Sequence, residues 1–151
     1  MKFFEKIKTS SSNKDAKTIL FVCVENAGRS QMAEGFFKKY APNGFKTLSA
    51  GTKPVSQINP IVVQAMKEVG IDISKQKSKE LIDEMIRDSD KVINMGCMDK
   101  NFCPTVWLPK VIEWGMEDPK GQSIEKVREI RDKIEQRVKK LVAEITITTK
   151  R

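Results

Sequence analysis

The sequence has no histidine, and among its 151 residues only three cysteines, two tryptophans and one tyrosine. Without histidine, Cys-His proteases, histidine-based metal sites and histidine general acids are excluded together. No apolar run approaches the ~20 residues that cross a bilayer. The opening "MKFFEKIKTSSSNKD" lacks the apolar stretch of a secretory signal. A cytoplasmic protein is expected, with no membrane partner, in a compartment that keeps thiols reduced. The three cysteines then read as reactive or structural thiols rather than a disulfide framework, and they fall short of the roughly four ligands of a structural zinc site.

A nucleic-acid partner is also disfavoured, despite the net charge of +8. Residues 1–17 carry five lysines against two acids, and residues 120–151 carry ten basic residues against five acids. Between them the charges balance at thirteen of each sign. The basic excess is confined to the two ends, where it reads as solvated surface or as a weak attraction for anions.

What remains is an ordinary globular composition, 39% hydrophobic and 32% charged, of a length suited to one domain. Residues 1–16 are polar and read as a tail, 17–147 as a single catalytic domain and 148–151 as a second short tail. "TILFV" from Thr18 predicts a strand buried on both faces. Met32, Phe36 and Tyr40, four apart, predict a helix over 30–40. "FKTLSAG" predicts a strand closed by Gly51. Asn59-Pro60 marks a helix start, ending near Gly70. "SKELIDEMIRDSD" (78–90) predicts a shorter helix, "KVINMG" a third strand and "VIEWG" a fourth. Ile124, Val127, Ile130, Ile134, Val138, Leu141 and Ile145 step by three and four, predicting a long amphipathic helix. Alternating strands and helices imply an α/β fold, a parallel sheet flanked by helices. Ligands of such sheets bind beyond the carboxyl ends of the strands. Cys23, Gly96-Cys97 and the residues after Trp114 fall there.

Cys23 begins a C-x5-R-S pattern, "CVENAGRS", between a strand and a helix. A buried cysteine at a strand end is common; the spacing singles this one out. Val24, Glu25, Asn26, Ala27 and Gly28 form a loop whose small residues let backbone N–H groups turn inward around an anion. The helix that follows points its positive end there. Arg29 can clamp two oxyanion oxygens, and Ser30 can hydrogen-bond the thiol. The same donors favour the thiolate, the nucleophilic form of Cys23.

This pattern resembles the low-molecular-weight protein tyrosine phosphatase family, in particular its thioredoxin-coupled arsenate reductase branch. The resemblance spans roughly Lys17 to Leu141. It rests on "VCVENAGRSQMAEG", "SAGT" at 49–52, "NPIVVQAMKEVGIDIS" from Asn59 and "EWGMEDP" from Glu113. It implies a four-stranded parallel sheet, Cys23 as nucleophile, Arg29 as clamp and Asp118 as general acid. Taken alone, Asp118-Pro119 is only a turn signal. Two further cysteines, Cys97 and Cys103 in "MGCMDKNFCP", are not needed by a phosphatase. They are either an inert pair or part of a thiol relay. The resemblance to the arsenate reductases implies the relay: Cys97 attacks Cys23 and releases arsenite, then Cys103 attacks Cys97 and leaves a disulfide for thioredoxin.

Departures from the family pattern are visible. Gly28 stands where many members have a second cysteine, and Glu25 replaces a common glycine. The Cys97–Cys103 spacing is one residue shorter than in well-known bacterial arsenate reductases. Some relatives hold potassium beside the loop, and Asn26, Glu34, Ser49 and Glu80 are the matching positions; no other cofactor or metal is implied. The expectation is a monomeric arsenate reductase acting on arsenate or a phosphate-like oxyanion. Its rivals are a phosphotyrosine phosphatase and a non-catalytic binder of anions or partners. Phosphatases of the family usually place aromatic side chains beside the acid, and "EDPKGQS" has none, which leaves Trp107 or Trp114 as the substitutes.

Overall fold

A computed structural model of the chain describes residues 16–96 and 109–149. In chain order the elements are β1 (Lys17–Cys23), α1 (Arg29–Tyr40), β2 (Phe45–Gly51), α2 (Pro60–Glu68), α3 (Asp83–Asp88), β3 (Lys91–Asn94), β4 (Val111–Glu113) and α4 (Ile124–Thr149). Cys97, Cys103 and Trp107, and the expected tail apart from Ala16, lie outside the described residues. No helix among the described residues is long and apolar enough to cross a membrane.

The four strands are parallel, in the order β2-β1-β3-β4, as the alternation of elements implied. β1 lies inside the sheet, paired with β2 from Lys17↔Phe45 to Cys23↔Gly51 and with β3 from Ile19↔Lys91 to Val22↔Asn94. Successive strand side chains point to opposite faces. Ile19, Phe21 and Cys23 therefore join one apolar cluster with Met32, Phe36 and Phe37 of α1, Val62 and Met66 of α2, and Val127, Ile130, Ile134 and Val138 of α4. Leu20 and Val22 join a smaller cluster with Ile86 of α3 and Val92. This alternation puts Cys23 on the heavily packed face, at the carboxyl end of β1.

The local signals at α2 act as expected. The Asn59 side chain accepts a hydrogen bond from Ile61 N–H at 3.0 Å, Pro60 occupies the first turn, and the chain leaves the helix through Gly70 at φ +80°. The helix expected over 78–90 is shorter, covering only Asp83–Asp88. Its first turn is diverted because Gly51 N–H donates to Lys79 C=O and Leu81 N–H donates to Gly51 C=O, both at 2.8 Å. Glu80 thus bridges the end of β2 as a short extended segment, and these long-range bonds override the local helical pattern.

Candidate active site

The loop between β1 and α1 is shaped mainly by where its carbonyl groups go. Cys23 C=O accepts from Thr52 N–H (3.2 Å), Val24 C=O from Lys53 N–H (2.8 Å), Glu25 C=O from Val55 N–H (3.1 Å) and Ala27 C=O from Asn59 N–H (2.9 Å). Asn26 C=O accepts from the Gln31 side-chain amide at 2.9 Å. Five successive carbonyls are therefore held by groups outside the loop. In a planar trans peptide the N–H points opposite to the C=O. The N–H groups of Val24, Glu25, Ala27 and Gly28, which line the cleft, are thereby directed to the loop's concave side, an arrangement that binds anions.

Asn26 makes the turn. It is fully buried, with φ at +52°, a left-handed conformation that asparagine tolerates better than most residues. Its Oδ1 accepts from Lys79 N–H (2.7 Å) and its Nδ2 donates to Ser30 Oγ (2.7 Å). Ser30 Oγ lies 2.8 Å from Cys23 Sγ. Because Ser30 already accepts from Asn26, its single hydroxyl proton is available to the sulfur. A hydrogen-bonded chain thus runs from the Lys79 backbone through Asn26 and Ser30 to Cys23. Gly51 lets the loop lie directly on β2: a Cβ there would run into the Val24 carbonyl oxygen.

Arg29 opens α1 and is buried. Its Nη1 donates to Met116 C=O (2.9 Å) and Met95 C=O (3.2 Å), which ties it to the ends of β3 and β4. Its Nη2 lies 3.6 Å from Asp118 Oδ2. Asp118 sits in an Asx turn, its Oδ1 accepting from Lys120 N–H at 3.0 Å. The Pro119 ring packs against Gly28, where an added Cβ would come within 2.8 Å of Pro119 Cγ. Lys120 Nζ meets Glu25 Oε2 at 2.8 Å. Cys23, Arg29 and Asp118 line one cleft of about 40 Å³ together with the loop residues. A single water needs ~10–15 Å³, so the cleft is sized for a small tetrahedral anion. No aromatic side chain lines it among the described residues.

The positions matched to a potassium site do not fit that ion. The buried Glu34 carboxylate accepts from Ser49 Oγ (2.5 Å) and from Lys38 Nζ (2.7 Å), with Lys79 Nζ 3.9 Å away. Two ammonium groups already balance its charge. Burial holds the Lys79 ammonium pKa below its ordinary value, with Glu34 opposing that shift. Glu80 is exposed, and among the described residues no group of three or more acids or cysteines converges as metal ligands do.

Lys53, Val55 and Lys79, which hold the loop from outside, carried no signal of their own in the sequence. Thr52, Lys53, Val55 and Lys79 act through backbone N–H groups, which every non-proline residue possesses.

Known proteins share both the chain and the fold. A glutaredoxin arsenate reductase from a Synechocystis species is 39% identical over 132 residues, covering 86% of this chain and 99% of that protein. A solved arsenate reductase in a phosphate-binding state is 38% identical with a TM-score of 0.77, covering 85% of this chain and 98% of that one. A thioredoxin-dependent arsenate reductase from Corynebacterium glutamicum is 34% identical with a TM-score of 0.75, covering 96% of this chain and 73% of that one. Residues 18–151 match the family model described as low molecular weight phosphotyrosine protein phosphatase, and the chain belongs to that family.

Proposed function

We propose that this protein is an arsenate reductase in which Cys23, Cys97 and Cys103 act in sequence. The observation that carries the reading is the cleft that gathers the Cys23 thiol, loop residues Val24, Glu25, Ala27 and Gly28, Arg29 and Asp118 around a space sized for one tetrahedral anion. The arsenate reductases among its relatives support it. In this reading the Cys23 thiolate attacks arsenic(V), an arsenic–sulfur bond forms, and an oxygen leaves as water with a proton from Asp118. Arg29 and the loop N–H groups hold the remaining oxygens. The Cys97 thiolate then attacks Cys23 Sγ. A sulfur–sulfur bond forms, and the electron pair of the arsenic–sulfur bond stays on arsenic, which departs as arsenite. Cys103 attacks Cys97 and frees the Cys23 thiolate. The resulting Cys97–Cys103 disulfide is reduced by a dithiol donor, here assigned to thioredoxin.

The second reading, phosphate monoester hydrolysis, needs only Cys23, Arg29 and Asp118, and the family description favours it. Against a phosphotyrosine substrate stands the absence of an aromatic wall on the cleft among the described residues. One set of assays separates the two. Arsenate turnover with thioredoxin, its reductase and a nicotinamide donor should be lost in Cys97→Ser and Cys103→Ser, while p-nitrophenyl phosphate hydrolysis survives in both. After a single turnover, Cys103→Ser should hold a Cys23–Cys97 disulfide by non-reducing peptide mapping. Sustained arsenate reduction by the double variant with thioredoxin as sole donor would overturn the relay, and hydrolysis without arsenate turnover in the parent would return the protein to the phosphatases.

A further inference from the structure

We propose that Glu25 and Lys120 form a charge-cancelling latch across the mouth of the cleft. In this latch Lys120 offsets a carboxylate that would otherwise repel the oxyanion, and it ties the segment bearing Asp118 to the loop bearing Cys23. The inference rests on the reading of the cleft as an oxyanion site.

Glu25 is the single acidic residue among loop positions 24–28, and it lines the cleft. Its backbone is fixed, because its C=O accepts from both Val55 N–H (3.1 Å) and the Ser78 hydroxyl (2.9 Å). The carboxylate is therefore carried beside the anion site by the same bonds that shape the loop. A negative charge there opposes a negative ligand unless a cation neutralises it. Lys120 supplies that cation at 2.8 Å, and Glu25 in turn holds the Lys120 ammonium pKa above its ordinary value.

Lys120 also belongs to the acid-bearing segment. Its N–H donates to Asp118 Oδ1, and its neighbour Pro119 rests on Gly28. The ion pair is thus a second fastening between the two loops, beside the longer Arg29–Asp118 contact of 3.6 Å. Exposed ion pairs contribute little to fold stability. The effect of this one falls on anion affinity and on the placement of Asp118, making Lys120 a positioning residue.

The test is a double-mutant cycle on Glu25→Gln and Lys120→Met. Affinity for inorganic phosphate is read from its suppression of iodoacetamide labelling at Cys23, and arsenate and p-nitrophenyl phosphate turnover are measured in parallel. At low salt Lys120→Met should weaken phosphate binding roughly three- to tenfold. Glu25→Gln should bind phosphate at least as well as the parent, and the double variant should match Glu25→Gln. The kcat for p-nitrophenyl phosphate should fall in each single variant and no further in the double. Lys120→Arg should restore affinity, and raising salt to about 0.5 M should shrink the differences. Weakening by Lys120→Met that persists in the Glu25→Gln background would overturn the latch and make Lys120 a direct ligand of the oxyanion; no weakening in either background would also overturn it. Arsenate turnover failing while the cycle behaves as described would sink the reductase reading and leave the latch standing. Phosphate that fails to protect Cys23 in the parent protein would end both.

Discussion

Behind Cys23 the cleft has a floor of buried groups, and in front of it a mouth of exposed ones. Asn26, Ser30, Glu34 and Ser49 are each at most 5% exposed and each is hydrogen-bonded. At the mouth, the side chains of Asp118 and Lys120 are 56% and 67% exposed. A buried polar network is costly to leave half satisfied, so the floor has one shape. The mouth is held by the Glu25–Lys120 and Arg29–Asp118 ion pairs and one Asx turn, contacts that solvent can replace at small cost, together with the Pro119 ring packed on Gly28. In the reaction proposed above, such a division would hold Cys23 rigidly and leave Asp118 able to adjust to substrate and leaving group.

The largest effect that would sharpen this contrast is on rate alone. Asp118→Asn should lower kcat by about 10²–10⁴ while leaving phosphate protection of Cys23 and the melting temperature nearly unchanged. An unchanged rate would reduce Asp118 to a turn residue. Asn26→Ala should instead damage the fold. It strands Lys79 N–H, removes the donor to Ser30 and puts alanine at a positive φ, so a loss of about 2–4 kcal/mol is expected in denaturant unfolding. Stability close to that of the parent would show that the floor is not the rigid part.

Gly28→Ala probes the seam between the two regions. The new Cβ must displace Pro119. A roughly three- to tenfold fall in kcat with about 1–2 kcal/mol of stability lost is expected, since the buried Pro119 ring must shift to admit the methyl group. A stability loss as large as that of Asn26→Ala would place Gly28 with the floor.

The smallest effect is a control far from the cleft. Arg128, through hydrogen bonding first, and Arg131 hold the Glu68 carboxyl below its ordinary pKa of 4.5. A lowered folded-state pKa stabilises the protein above the unfolded value, and that contribution disappears as the pH falls through the folded one. Glu68→Gln should therefore flatten the acid limb of the stability profile below about pH 4.5. Activity at neutral pH should not move. A matching change in turnover would mean that the α2–α4 contact reaches the site.

The parts of the molecule that were legible in the sequence are those specified by neighbours along the chain. The apolar run of β1, the Asn59-Pro60 cap and the three-and-four spacing of α4 all express local periodicity or local hydrogen bonding. Cys23 and Arg29 could be placed together because C-x5-R-S spans one loop at a strand end, whereas Asp118 was brought to them only by the resemblance to the phosphatase family. The diversion of residues 79–81 onto Gly51 could not be read, since it depends on a backbone pairing across about thirty residues. Nor could the Glu25–Lys120 pair, which joins positions 95 apart. Glu25 stood out as an acid in an anion loop, and only the fold supplied its partner.

The five outward carbonyls have a consequence for change over generations. A cradle built of main-chain amides has no side-chain donor that a point substitution can delete. Val24 and Glu25, which are only half-buried, can then vary with little damage to anion capture, while Asn26 and Gly51, which set the path of the backbone, cannot. Retuning of substrate choice is accordingly open at the first two positions and closed at the others, and a library diversified at 24 and 25 alone should retain phosphate protection of Cys23 in most of its members.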